Sequence, residues 1–205
     1  MGGWFREPVN SLSELRGLRF RIPGIGGEIM SRLGVTVQNL AQPEIYPALE
    51  RVAIDATEWV GPYDDEKLGL HQIAKNYYAP GWWEPGVTMG LLISLEAYNE
   101  LPPSYQEVLK AVCGETFADR LAAYDYNNPL ALQRLVEEQG VTLHTYSDDI
   151  MEAAWRESNA YLEEQSAADE GFARVYESYR TFRDAAWAYA GSNELIYRSS
   201  AYSGV

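Results

Sequence analysis

The sequence predicts an α/β domain with a mostly parallel sheet flanked by helices, followed by long C-terminal helices. Three observations carry this. Through the first third, short apolar or alternating segments trade places with short helical ones in the order β-α-β-α-β-α. Pro and Gly punctuate the junctions. Beyond residue 147, apolar and aromatic side chains recur at helical spacing. The α/β domain is placed at residues 1–146 and the helical region at 147–205.

The elements follow in order. Ser11-Leu12-Ser13-Glu14 has the form of a capping box opening a short helix that stops at Gly17. Leu18 to Ile22 alternates apolar and basic side chains as a strand does, and Pro23-Gly24 ends it. Gly26 to Leu33 reads as a helix, Val35 to Leu40 as a strand, Pro43 to Arg51 as a helix, Ile54 to Trp59 as a strand and Asp64 to Ala74 as a helix. Met89 to Leu95 is continuously apolar and reads as a strand. Pro102-Pro103 and the capping box at Ser104 open a helix, and Pro129 starts another that ends at Gly140. Val141 to Tyr146 is a last strand. Two helical stretches close the chain, one with Met151, Trp155 and Tyr161, the next with Phe172, Val175, Tyr176, Tyr179, Phe182, Ala186 and Tyr189. Packing within the chain and use in a dimer are both open for this aromatic stripe.

Composition narrows the partners. A length of 205 residues and 46% hydrophobic content allow a sizeable core. The net charge of −14 argues against nucleic acid and anionic membrane surfaces, which need clustered Lys and Arg. It leaves room for a small anion, because one well-placed Arg dominates locally. The apolar run from Val87 to Leu95 is far short of the ~20 residues a spanning helix needs, so no membrane insertion is expected. The start, MGGWFREPVN, lacks the regions of a signal peptide, which read alone suggests a cytoplasmic product. Cys113 is the single cysteine, which excludes an internal disulfide; on a helical stretch it reads as a buried inert thiol.

The richest segment for chemistry runs from Ile54 to Glu84, where carboxylates and large aromatics sit together at turns. Such groups suit the grip of a small polar ligand. Glu58, with Trp59 beside it, and Glu84 could give oxygens to a hard cation such as Na⁺ or Ca²⁺; on spacing alone they equally read as solvated loop acids. Arg21, at a strand end, suits a carboxylate, with a surface ion pair as the plainer reading of the residue alone. Gly24-Ile25-Gly26-Gly27 reads as close helix–strand packing rather than a phosphate loop, and Asp64-Asp65-Glu66 as the acidic first turn of a helix. His71 and His144 are isolated, and no nucleophile elbow, zinc signature or phosphate loop occurs.

Several runs resemble the solute-binding proteins of TRAP (tripartite ATP-independent periplasmic) transporters, DctP type, in the branch that binds α-keto acids and lactate. They are GGWF at Gly2 to Phe5, GLRFRIPG at Gly17 to Gly24, EIYPALER at Glu44 to Arg51, IDATEWVGPYDDEKLG at Ile54 to Gly69, YYAPGWWEPG at Tyr77 to Gly86 and FARVYESYRTFR at Phe172 to Arg183. The resemblance implies the C-terminal lobe of a two-lobe periplasmic binding protein and no enzymatic activity. It implies that Arg21 pairs with the carboxylate of a 2-oxo or 2-hydroxy acid. Glu58 and the backbone oxygen of Trp59 would hold a bridging Na⁺ or Ca²⁺, with Glu84 a further ligand, and Trp59 would line the substrate pocket. It implies membrane subunits of the transporter as partners, a periplasmic location, and a homodimer through the C-terminal helices.

Departures from the family pattern accompany it. Met1 aligns with an internal position of the family, near where a further ligand-binding glutamine would stand, and the first lobe has no counterpart here. The expectation is a truncated or split product with half a cleft and much weakened affinity. Val52 stands where the family usually has Gly. Two readings from other classes remain open: an acidic α/β enzyme using Glu58 and Glu84 as a carboxylate pair, and a structural dimerisation module.

Overall fold

The structure, a computed structural model, describes residues 1–86 and 89–203. The chain divides into two compact units, Met1–Ala154 and Trp155–Val205.

The first unit is built on one sheet in the order β3-β2-β4-β1-β5-β6. Its strands are β1 (Gly3–Phe5), β2 (Arg19–Arg21), β3 (Thr36–Gln38), β4 (Ala56–Thr57), β5 (Asn76–Ala79) and β6 (Thr142–Thr145). β2 runs parallel to β3 and β4, and β5 parallel to β6. β1 is antiparallel to both of its neighbours, β4 and β5, so the sheet is mixed. Side-chain alternation gives each face its own core. Phe5, Phe20, Ile22, Met30 and Tyr78 pack on one face. Trp4, Ile45, Leu49, Leu70 and Tyr77 pack on the other.

Helices α1 (Gly24–Arg32), α2 (Gln42–Glu50) and α3 (Pro62–Leu68) follow β2, β3 and β4 respectively. α1 rides close on its strand: a Cβ added at Gly27 would lie 2.5 Å from the Ile22 carbonyl oxygen, which accounts for the glycine there. Pro62 opens α3 and Gly69, with φ +69°, ends it in the left-handed region. Val52, at the end of α2, takes φ +58°, a conformation that costs a β-branched residue steric strain. α4 (Leu95–Glu100) and α5 (Pro103–Glu137) complete this side of the chain, and α6 (Asp148–Ala168) begins by burying Ile150, Ala153 and Ala154.

Several expectations are corrected. Ser11 makes no side-chain cap, and the segment is a 3₁₀ turn, Leu12–Leu15. Residues 89–94 form no strand, and Leu92 is 97% exposed; Gly90, inside the run, weakens any strand there. Val87 and Thr88, where the run begins, lie outside the described residues. Pro129 sits inside α5 rather than at a helix start, because a long helix tolerates the loss of one hydrogen bond. Cys113 is exposed, since of α5 only Ala131 and Leu135 are buried.

In the second unit, Asp169 caps α7 (Glu170–Ser192) by accepting from the Phe172 amide at 2.6 Å, and α8 (Glu194–Tyr202) follows. Trp155 and Trp187 pack with ring centroids 5.5 Å apart, and the Arg183 guanidinium lies over Trp187 at 4.6 Å. Val175, Tyr179, Phe182 and Tyr189 remain exposed.

Candidate ligand-binding site

The site is built where parallel strands end. Arg21 is the last residue of β2, and it pairs in register with Thr57, the last residue of β4. The Glu58 amide donates to the Arg21 carbonyl at 3.1 Å, which extends the pairing by one residue. Both side chains therefore emerge at the carboxyl ends of neighbouring parallel strands, where ligands of α/β sheets bind.

The two groups meet. Arg21 Nη1 donates to Glu58 Oε1 at 2.6 Å, and Arg21 Nε donates to the Leu40 carbonyl at 3.0 Å. The guanidinium lies 5.5 Å from the Trp59 ring centroid. Only 8% of the Arg21 side chain and 12% of the Glu58 side chain reach solvent, so the pair is buried. Burial pushes the Glu58 carboxyl up to about 7; Arg21 opposes the rise, and the charges of Asp65 and Glu84 add to it. The surface pair belongs instead to Arg19, whose Nε and Nη2 grip Asp55 at 2.9 and 2.5 Å.

Arg21, Glu58, Trp59 and Glu84 all line one cavity of about 1170 Å³. Glu84 reaches it from the turn that follows β5 and the cis Ala79–Pro80 bond. The far wall is α5, through Cys113, Phe117, Arg120 and Tyr124 among others. α5 also fixes the loop and helix beyond Glu58. Asn128 Oδ1 accepts from the Tyr63 amide at 3.1 Å, the Tyr124 hydroxyl donates to Asp64 Oδ2 at 2.8 Å, and Arg134 grips Glu66 at 3.0 and 2.6 Å.

Four residues singled out in the sequence thus share one cavity. The sequence marks the stretch behind this wall as two helices, and a single helix, α5, forms it. Asp65 lies in the acidic first turn of α3, as expected, but is 1% exposed and enclosed by hydrogen bonds. Its neighbours in sequence, Asp64 and Glu66, do face partners on α5. Neither His71 nor His144 lines the cavity; His144 stacks on Tyr78 and bonds Asn76 at 2.9 Å. Among the described residues no three His, Cys, Asp or Glu side chains cluster as a metal site. No helix among them is long and apolar enough to cross a membrane.

Comparison with known proteins gives a consistent likeness. Residues 1–169 match the family described as bacterial extracellular solute-binding protein, family 7 (DctP). A monocarboxylate 2-oxoacid-binding periplasmic protein of Nostoc sp. strain PCC 7120 is 51% identical over 203 residues, which is 99% of this chain and 56% of that protein. A TRAP transporter solute-binding protein of Bordetella bronchiseptica RB50 superposes with a TM-score of 0.95 at 38% identity over 100% of this chain and 60% of its own. It was solved as a mixed-occupancy dimer, with copurified calcium and picolinate in one active site and the other apo. A TRAP periplasmic solute-binding protein of Pseudoalteromonas atlantica T6c, with bound sodium and pyruvate, has a TM-score of 0.91 at 34% identity over 98% of this chain and 61% of its own. The chain spans little more than half the length of these relatives.

Proposed function

The chain belongs to family 7 of the bacterial extracellular solute-binding proteins, DctP, and on that premise we propose that it forms a ligand-binding lobe for small 2-oxo or 2-hydroxy carboxylates, taken with Na⁺ or Ca²⁺. The family is one of receptors, which removes the reading of Glu58 and Glu84 as an enzymatic acid–base pair. The observation that carries the proposal is the buried Arg21–Glu58 pair at the ends of β2 and β4, facing a large cavity.

In this reading Arg21 holds the ligand carboxylate with its planar fork. Glu58 and the backbone oxygen of Trp59 hold the cation, Glu84 assists, and the Trp59 ring lines the pocket. The donor set fits a hard cation, because every group offered is an oxygen. A buried carboxyl raised to about 7 gains from a second positive charge beside it. With no cluster of three ligating side chains among the described residues, a cation here draws on backbone and ligand oxygens as well. Such a cation would supply positive charge that attracts the oxygens of a 2-oxo or 2-hydroxy acid. The relatives holding calcium with picolinate and sodium with pyruvate support this pairing.

At the level of assembly, residues 1–146 act as the ligand lobe and 147–205 as a helical element for dimerisation or lobe packing. The exposed aromatics of α7 support the latter role. The setting is the periplasm, and the onward partners are the membrane subunits of a TRAP transporter. Thermal melts with pyruvate, lactate, Na⁺ and Ca²⁺, singly and combined, test the ligand class. The expected result is a larger rise for acid plus cation than for the two separately; no rise with any such acid refutes it.

A further inference from the structure

We propose that Asp65 is the positioning residue of this site, holding the loop from Glu58 to Gly61 against the sheet so that the ligand-facing groups present themselves to the cavity. The inference rests on the ligand-binding reading of that cavity.

Asp65 lies in the first turn of α3 but is withdrawn from solvent, at 1% exposure. Its oxygens divide their work. Oδ1 accepts from the Val60 amide at 3.1 Å and the Gly61 amide at 3.0 Å. Oδ2 accepts from Trp4 Nε1 at 2.8 Å and the Tyr77 hydroxyl at 2.6 Å. Four donors match the four lone-pair positions of a carboxylate. Trp4 on β1 and Tyr77 on β5 are themselves fully buried and stacked, with ring centroids 3.9 Å apart, so Oδ2 is bolted to the middle of the sheet. Oδ1 is bolted to the cavity wall, which Glu58, Trp59, Val60 and Gly61 all line.

A helix start does not require this arrangement. The N-terminal end of α3 already receives Asn128 Oδ1 at the Tyr63 amide and carries Asp64 at its surface. Burying a further charge there is costly, and burial does push the Asp65 carboxyl up while the bonds from Tyr77 and Trp4 draw it back. The bonds that offset the cost are those that join loop to sheet. Without the Oδ1 acceptor, the Val60 and Gly61 amides lose their partner and the Glu58–Trp59 backbone loses its anchor.

The test compares Asp65→Ala, Asp65→Asn and Tyr77→Phe, with Ca²⁺ titrated alone and with pyruvate by calorimetry, and with melting temperatures recorded. Tyr77→Phe perturbs the same carboxylate from the sheet side and does not touch the loop. The expected result is a roughly 10- to 100-fold loss of Ca²⁺ affinity in Asp65→Ala, as for residues that orient metal ligands. Partial recovery is expected in Asp65→Asn, which keeps one oxygen for the loop amides, and about wild-type affinity in Tyr77→Phe despite its lower melting temperature. Wild-type affinity in folded Asp65→Ala, or a loss that merely tracks stability across the three variants, overturns the proposal. If the unaltered chain binds neither Ca²⁺ nor any such acid, the ligand-binding reading has failed. Amide exchange at Val60 and Gly61 in Asp65→Asn then decides the positioning role. Selective loss of protection there upholds it, and unchanged protection overturns it. The same exchange measurement serves if Asp65→Ala does not fold.

Discussion

Arg21 Nη1 donates to Glu58 Oε1 across 2.6 Å, so the guanidinium proposed to read a ligand carboxylate is engaged by a carboxylate of its own chain. The two carboxylates compete for one fork unless Glu58 is drawn to a cation. Cation and acid should therefore strengthen each other's binding, and by linkage the two factors must be equal. Calorimetry of each ligand at zero and saturating concentrations of the other checks this; independent affinities would contradict it.

The proton is a second competitor. Burial raises Glu58 from an ordinary 4.5 to about 7, so near neutrality part of the population is protonated and a poor cation ligand. Ca²⁺ affinity should rise roughly tenfold from pH 6 to pH 8, and Glu58→Gln should abolish that dependence. The stability consequence has the opposite sense. Between pH 4.5 and about 7 the folded chain holds a proton that the unfolded chain has released, so Glu58 drains stability as pH rises through that window. The full effect is of order 3 kcal/mol, and chemical denaturation of Glu58→Gln across that range should show a flatter profile.

Val52 carries backbone strain at an exposed position. At φ +58° and 44% exposure, a β-branched side chain occupies the left-handed region. Val52→Gly should stabilise the chain by about 1 kcal/mol, read as a higher denaturant midpoint at unchanged slope.

Gly27 is the converse case. A methyl group there would meet the Ile22 carbonyl oxygen at 2.5 Å and Val37 Cγ1 at 3.2 Å. The Ile22 backbone cannot yield without lifting α1 from the strand that ends in Arg21. Gly27→Ala should cost about 1–3 kcal/mol and weaken ligand binding in step, measured by thermal melts and titration of the same sample.

The site was only partly legible in the sequence. Arg21 and Glu58 could be placed, because LRFRI before Pro23 and the alternating Ile54-Asp55-Ala56 before Glu58 mark strand ends. That they face each other was not, since the parallel pairing of β2 with β4 joins segments separated by two helices. β1 leaves no mark in the sequence, because three residues, Gly3 to Phe5, are too few to show a period, yet this strand sets the sheet's mixed sense. The burial of Asp65 has no local mark. An acid after Pro62 does sit in the first turn of α3, and only its partners Trp4 and Tyr77, 61 and 12 residues away, show that it is buried. The Gly24–Gly27 run read correctly, because a tight helix–strand contact is a local demand.

The helical region 147–205 makes its own prediction. Tyr179 and Phe182 are exposed on α7, as a dimerisation surface requires. Replacing both with Glu should convert a dimer to a monomer in light scattering while leaving helicity unchanged; an unaltered mass would remove the role proposed for α7.

On the function proposed, one cavity joins a carboxylate to Arg21 and a cation to Glu58 and Trp59. The most direct measurement is intrinsic tryptophan fluorescence during pyruvate titration, with and without Ca²⁺, on this chain and on folded Arg21→Ala. The expected result is a saturable change that requires Ca²⁺ and vanishes in the variant. A change indifferent to Ca²⁺, or one that survives the loss of Arg21, would contradict it.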